Sequence, residues 1–305
     1  MPFDLTDLTD QVLTLTPRQG LGIPVALVGA VFLALGAQLQ HRGVGKVEVQ
    51  LGGKAQGLSI RQLVALLSRP SWLIGTAMLG LAVLFQLTSL YLAPLIVVQP
   101  LGAVALVITA LLNARVTKVK LDRLTIRAIA LCVGGVAVFV TIAAFVAQET
   151  PITDSQLITV LIILLVVLAV AGTAFVVLRS RLKAIMYIVA AGVLYGFVVT
   201  LAKIVINRIV TGNFEWLTVI CLVALLAATM LGAYFVQSAY ASGPPDLVIA
   251  GLTVIDPLVA VSIGIVVLGE ASQAPVIAVI AFAVAGIVAI YGVFQLAKHH
   301  PQNQR

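Results

Sequence analysis

The stretch VVQPLGAVALVITALLNA, residues 97–114, returns in altered form as VIDPLVAVSIGIVVLGEA, residues 254–271. Both stretches are apolar, and each carries a proline at the same position, preceded by Gln99 in the first and by Asp256 in the second. The residues that recur, by their first-stretch numbers, are Val97, Pro100, Leu101, Ala103, Val104, Ile108, Leu111 and Ala114. This recurrence predicts an internal repeat.

The similarity continues upstream of both stretches in the same order. Ser89-Leu90-Tyr91 corresponds to Ser238-Ala239-Tyr240, and GAVFLALGAQLQ (29–40) aligns with GVLYGFVVTLAK (192–203). The alignment therefore covers several consecutive segments of each half.

The composition places these segments in a membrane. Of the 305 residues 61% are hydrophobic and 10% are charged, and the mean hydropathy is +1.17, whereas soluble domains are roughly 45–50% apolar. A helix needs about 20 apolar residues to cross a bilayer. We predict an all-α polytopic membrane protein with about nine transmembrane helices, at 21–41, 71–92, 94–114, 124–147, 156–178, 183–207, 215–241, 246–268 and 273–295.

Nine spans divide into two units of four with one left over. The repeat predicts a first unit at 21–147 and a second at 181–296, joined by a linking helix within 148–180 and flanked by an extracytoplasmic segment, 1–20, and a cytoplasmic tail, 297–305. A single linking span inverts the second unit relative to the first. Inverted repeats are typical of secondary transporters that work by alternating access, and this is the function that we predict.

The charged residues predict the orientation. Basic residues concentrate after the first, third and fifth spans, in three groups: Arg42, Lys46, Lys54, Arg61 and Arg69; Arg115, Lys118, Lys120, Arg123 and Arg127; and Arg179, Arg181 and Lys183. By the positive-inside rule these loops are cytoplasmic. We expect a multi-pass protein of the cell membrane with its N-terminus outside and its C-terminus in the cytoplasm. The loop 42–70 is expected to include a short interfacial helix.

The net charge of +7 does not predict nucleic-acid binding, because the basic residues lie between apolar segments and do not form one basic face with aromatic residues. The N-terminal segment lacks the positive start of a cleavable signal peptide and is expected to remain on the mature protein.

The sequence also lacks the common catalytic motifs. We therefore expect neither an enzyme nor a bound cofactor; the expected partners are the lipid bilayer and a small-molecule or ion substrate, and a homodimer is an open alternative.

The pairs Gln99-Pro100 and Asp256-Pro257 are the predicted binding site. In repeat transporters the site lies where corresponding spans of the two halves are interrupted. A proline removes a backbone donor and releases a carbonyl one turn earlier, and a plain packing kink is the alternative. Asp256 is the one carboxylate near the middle of a span, and such a residue is a candidate proton acceptor, cation ligand or partner of a substrate amine. A structural hydrogen bond to a neighbouring helix is its alternative role.

Further polar residues lie inside the predicted spans. Lys203 is expected either to pair with Asp256, to attract an anionic substrate or to extend to the outer interface. Tyr195 and Gln40 add uncharged hydrogen-bonding groups for the substrate, although bonds between helices are the commoner use of such residues. Glu270, which aligns with Asn113, is expected to have a capping or gating role at the outer surface.

The sequence SLYLAPLIVVQPLGAVALVITALLNA, together with GAQLQHRGV, the Lys203 segment LAK and VLGE at 267–270, resembles the NIPA-type magnesium transporter branch of the drug/metabolite transporter superfamily. The resemblance covers about residues 21–295. It implies an EamA-like inverted-repeat fold and, for the branch, Mg²⁺ as the substrate with Asp256 as a metal ligand.

The four-span unit is also similar to small multidrug resistance exporters, in which an essential carboxylate lies in the first span. Phe32 and Tyr195 occupy that place here. Mg²⁺ usually takes one or two carboxylates and several waters, so a single Asp beside a Lys is a sparse site for it. Three hypotheses remain open: a transporter of a small solute, a NIPA-type transporter or channel for Mg²⁺, and a non-transporting scaffold of the envelope.

Overall fold

The computed structural model describes residues 17–50, 66–117, 122–149, 151–178, 184–243 and 245–298. These residues contain helices and no strand. In chain order the helices are α1 (Pro17–Gln50), α2 (Pro70–Leu92), α3 (Leu95–Thr117), α4 (Arg123–Val146), α5 (Asp154–Leu178), α6 (Ala184–Val210), α7 (Trp216–Ser242), α8 (Pro245–Val266) and α9 (Val276–Lys298). All of them are long and apolar enough to span a membrane. The predicted fold class, an all-α polytopic membrane protein, is confirmed.

The ends of the helices follow local sequence signals. Helix α2 begins with Pro70, whose missing N–H costs nothing in the first turn. Helix α4 begins after Asp122, whose side chain accepts a hydrogen bond of 2.8 Å from the Thr125 amide. Helix α1 extends to Gln50, beyond the predicted span, although its apolar segment ends at Val44. Most of the predicted interfacial helix lies outside the described residues.

The two groups of four helices pack in the same order. In the first group α1 contacts α2 and α3, and α3 contacts α4; in the second group α6 contacts α7 and α8, and α8 contacts α9. Contacts of α3 with α8 and of α4 with α9 join the groups, and α5 packs mainly against α6. This order agrees with the repeat that the sequence predicts, whose residue boundaries stay a prediction.

Contacts between helix ends define one side of the bundle. The Ser89 hydroxyl near the end of α2 donates to the Gly22 carbonyl near the start of α1. The Gln148 amide after α4 donates to the Glu270 carbonyl after α8. We call this side, where α1 begins and α2, α4, α6 and α8 end, the amino-terminal side, and the other the carboxy-terminal side.

Small residues permit the close contact between α4 and α9. A Cβ atom placed on Gly135 would lie 2.6 Å from the backbone nitrogen of Ala289, whereas one on the adjacent Gly134 would have no atom within 4 Å. The backbones of the two helices therefore touch at Gly135, as small-residue packing in membranes allows.

This difference predicts opposite effects for two neighbouring substitutions. Gly135→Ala should reduce the free energy of unfolding by about 1–3 kcal/mol because α4 and α9 must separate. The control Gly134→Ala should be neutral or slightly stabilising, since alanine is the better helix former. The measurement is the midpoint of thermal unfolding of both variants in the same detergent; equal midpoints would contradict the packing.

Candidate functional site

A cavity of about 710 Å³ lies between the two groups of helices. Its walls come from α1, α2 and α3 of the first group and from α6, α7 and α8 of the second. The polar side chains among its lining residues are Gln86, Gln99, Tyr195, Tyr240, Thr253 and Asp256. The remaining lining is apolar or glycine. The volume falls in the range of ordinary small-molecule sites, about 300–1,000 Å³.

Gln99 and Asp256 both line this cavity, so the fold brings the two repeat-equivalent positions to one place. Only 5% of Gln99 is exposed. Its Nε2 atom and the Oδ1 atom of Asp256 are buried and have no hydrogen-bond partner among the described residues. Buried polar groups without a partner are uncommon, because each costs about 1–3 kcal/mol. One unused donor and one unused acceptor therefore remain for a ligand.

The prolines do not break their helices. Helix α3 continues through Pro100 and α8 through Pro257, so neither span is unwound there, and the predicted bend with a freed carbonyl stays a prediction. A proline inside a helix removes only one donor, and packing on neighbouring helices can hold the rest of the helix together. Pro257 lines the main cavity, whereas Pro100 and Pro257 together line a smaller apolar cavity of about 90 Å³ beside it.

Tyr195 and Tyr240 place aromatic hydroxyls among the lining residues. A Cβ on Gly232 would lie 3.1 Å from the ring of Tyr195, so the glycine leaves room for that ring against α7. The sequence predicted Tyr195 as a site residue but gave Tyr240 no role. The only sequence signal for Tyr240 was its alignment with Tyr91, which indicated the internal repeat but not a place in the cavity.

Lys203 does not pair with Asp256 and does not lie among the lining residues. Its Nζ donates to Glu270 Oε1 at 3.0 Å, to the Ala93 carbonyl at 3.0 Å and to Glu149 Oε1 at 3.4 Å. Lys203 is only 5% exposed, so its ammonium group is enclosed by protein, and its extension toward the membrane interface stays a prediction. The ammonium group instead donates its three protons to acceptors that come from distant parts of the chain.

Glu270 caps the start of α3, which confirms the predicted capping but not its location at the surface. Glu270 is 3% exposed, and its Oε1 and Oε2 accept hydrogen bonds of 2.8 and 2.9 Å from the amides of Leu95 and Ile96. A helix start has unpaired amides and a positive dipole end, which favour a carboxylate. We call the group formed by Lys203, Glu270, Glu149 and the Ala93 carbonyl the ionic junction.

Gln40 also lies away from the cavity lining. Its Nε2 donates to the Thr76 hydroxyl at 2.9 Å, which ties α1 to α2. Among the described residues no group of three or more His, Cys, Asp or Glu side chains could hold a metal ion. Asp256 would therefore have to bind Mg²⁺ as the single carboxylate of the site.

The fold and the cavity together define a multi-pass α-helical membrane protein with an intramembrane cavity between two similarly packed groups of helices. The chain is similar to an uncharacterized protein of Corynebacterium glutamicum, with 27% identity over 289 residues that cover 91% of this chain and 95% of the relative. No family model matches the sequence. No solved structure matches it.

Proposed function

We propose that the protein is a secondary transporter of the drug/metabolite type, and not an enzyme, that moves a small organic solute by alternating access through the cavity. One observation carries the proposal: the equivalent residues of the two halves, Gln99 and Asp256, meet at one cavity with buried polar atoms that have no partner among the described residues. A folded protein tolerates such atoms where a ligand completes them.

The chemistry of the lining favours a solute with a positively charged or hydrogen-bond-donating group. Asp256 is the one charged side chain among the described residues of the lining. The nearby cation Lys203 already forms ion pairs with Glu270 and Glu149. A carboxylate in an apolar membrane interior is costly unless a partner compensates it. An ammonium group of the solute would provide that partner, while an acceptor on the solute would receive the Gln99 amide.

The apolar remainder of the lining supports an organic solute over a bare ion. Aliphatic side chains such as Leu33, Val83 and Leu252 cover much of the wall and would contact a hydrocarbon body. Mg²⁺ is the second candidate, because the unpartnered Oδ1 of Asp256 is the kind of ligand that Mg²⁺ accepts while it retains most of its water.

Binding and flux measurements distinguish these candidates. Purified protein is heated with organic amines of increasing apolar size, with matched neutral and acidic analogues, and with Mg²⁺. A ligand at 100 times its Kd stabilises the folded state by about 2.7 kcal/mol, which raises the unfolding midpoint. We expect amines to raise the midpoint and their neutral analogues to have little effect.

Compounds that bind are then tested for uptake into proteoliposomes, with Mg²⁺ entry followed by a trapped fluorescent indicator. Uptake of amines supports the proposal. Flux of Mg²⁺ alone would replace the organic solute by the second candidate. Folded protein that neither binds nor transports any member of the panel would contradict transport.

A further inference from the structure

The ionic junction lies close to the end of the cavity on the amino-terminal side. Val199 lines the cavity and precedes Lys203 by one helical turn in α6; Gln99 lines the cavity and follows Ile96 by one turn in α3. One turn rises about 5.4 Å. The cavity therefore stops within about one turn of the bonds that join Lys203 and Glu270 to the start of α3.

The cavity extends in the opposite direction. Tyr240, in the last turn of α7, and Ile249, near the start of α8, are both lining residues. The ends of these helices belong to the carboxy-terminal side. In this structure the cavity thus reaches toward the carboxy-terminal side, and the ionic junction lies within about one helical turn of its other end.

The junction joins the two halves across long sequence separations. Glu270 of the second half caps α3 of the first. Lys203 of the second half donates to the carbonyl of Ala93 from the first half and to the carboxylate of Glu149 from the linking segment. Gly269, with φ +71°, turns the chain after α8 so that Glu270 folds back, and Gly264 leaves space for the carboxylate, since a Cβ there would lie 2.7 Å from Oε2.

The two positions that the repeat aligns with the junction residues carry no charge. In the repeat alignment Gln40 takes the place of Lys203, and Asn113 takes the place of Glu270. If these two positions closed the carboxy-terminal side, the contact would be made by the uncharged amides of Gln40 and Asn113. On the amino-terminal side it is made by an ammonium group and a carboxylate. Charge-assisted hydrogen bonds are roughly twice as strong as neutral ones, so the two closures differ in stability.

We propose that the ionic junction of Lys203 and Glu270 is the gate on the amino-terminal side of the cavity. With uncharged residues at the equivalent positions, Gln40 and Asn113, the conformation closed on the amino-terminal side is the favoured resting state. This inference rests on the proposed function, because a gate requires alternating access. Each transport cycle must separate Glu270 from Lys203 or from the start of α3.

The test measures access to the cavity without any substrate. Val199→Cys serves as the reporter after Cys132→Ala and Cys221→Ala remove the two buried thiols. The protein is reconstituted into liposomes, its orientation is determined by protease cleavage of a C-terminal tag, and a membrane-impermeant thiol reagent is applied from each side. With the junction intact we expect labelling from the carboxy-terminal side only.

The double substitution Lys203→Met and Glu270→Gln removes both charges of the buried pair; Glu149, which loses its contact with Lys203, has a side chain that is 35% exposed. It should raise the rate of labelling from the amino-terminal side about tenfold or more, the range of a typical coupling between conformations. Gly264→Ala, which displaces the Glu270 carboxylate, should raise this labelling rate by a smaller factor. If the double variant does not fold, Gly264→Ala tests the gate in its place. Asp154→Asn, a carboxylate change on the same side but outside the junction, is the control and should leave the rate unchanged.

The outcomes separate this inference from the proposed function. Unchanged labelling from the amino-terminal side in the folded junction variants would overturn the gate and leave transport through the cavity standing. An equal increase in Asp154→Asn would also overturn the gate, since it would indicate general loosening. A reporter that reacts from neither side would overturn both proposals, because the cavity would then have no aqueous access.

Discussion

Asp256→Asn is expected to reduce uptake of the transported solute about 10- to 100-fold while the protein still folds. Hydrogen bonds to charged groups contribute about 1.5–3 kcal/mol, and each 1.4 kcal/mol corresponds to a factor of ten in binding. Asparagine keeps the size of the side chain and removes its charge. Because Oδ1 of Asp256 has no partner among the described residues, the substitution breaks no described bond at that atom, and stability should change little or rise slightly.

The measurement is uptake into proteoliposomes at matched protein content, together with the unfolding midpoint of each variant. Glu215→Gln is the matched control, because the side chain of Glu215 is 61% exposed and lies outside the cavity lining. It should transport as well as the unchanged protein. Full transport by Asp256→Asn would exclude Asp256 as the solute's partner, and a large drop in its unfolding midpoint would indicate a structural role.

Lys203→Met is expected to destabilise the protein by about 3–5 kcal/mol. The substitution preserves most of the volume of the side chain but leaves the buried carboxylate of Glu270 with only the amides of α3 as partners. Removal of one member of a buried ion pair has this cost because the remaining charge stays desolvated. Lys203→Met should therefore unfold at a lower temperature than any other single variant proposed above.

A double-mutant cycle separates this ion pair from ordinary packing. If Glu270→Gln is added to Lys203→Met, the buried carboxylate that had lost its partner is removed, and part of the lost stability should return, with a coupling energy of about 0.5–3 kcal/mol. The measurement is the unfolding midpoint of the two single variants and the double variant in one detergent. Additive losses would show that Lys203 and Glu270 contribute independently and would remove the energetic basis of the gate.

The sequence predicted the spans well because the requirement is local. A segment crosses a bilayer when about 20 consecutive residues are apolar, and this property is readable from α5 or α9 without any neighbour. The repeat was also readable, since the alignment of Gln99-Pro100 with Asp256-Pro257 depends on sequence alone. That alignment indicated Gln99, Asp256 and Pro257, and the polar residues inside the spans added Tyr195; the fold brings all four to one cavity.

The roles of Lys203 and Glu270 required the tertiary structure. Lys203 could be assigned to Asp256, to a substrate or to the interface, because the sequence does not say which helix ends meet. The structure places Glu270 against the start of α3, 175 positions away, and Lys203 against Glu270 and Ala93. Local hydrophobicity determined that these segments are membrane helices, whereas the partners of the two buried charges depend on how distant helix ends pack together.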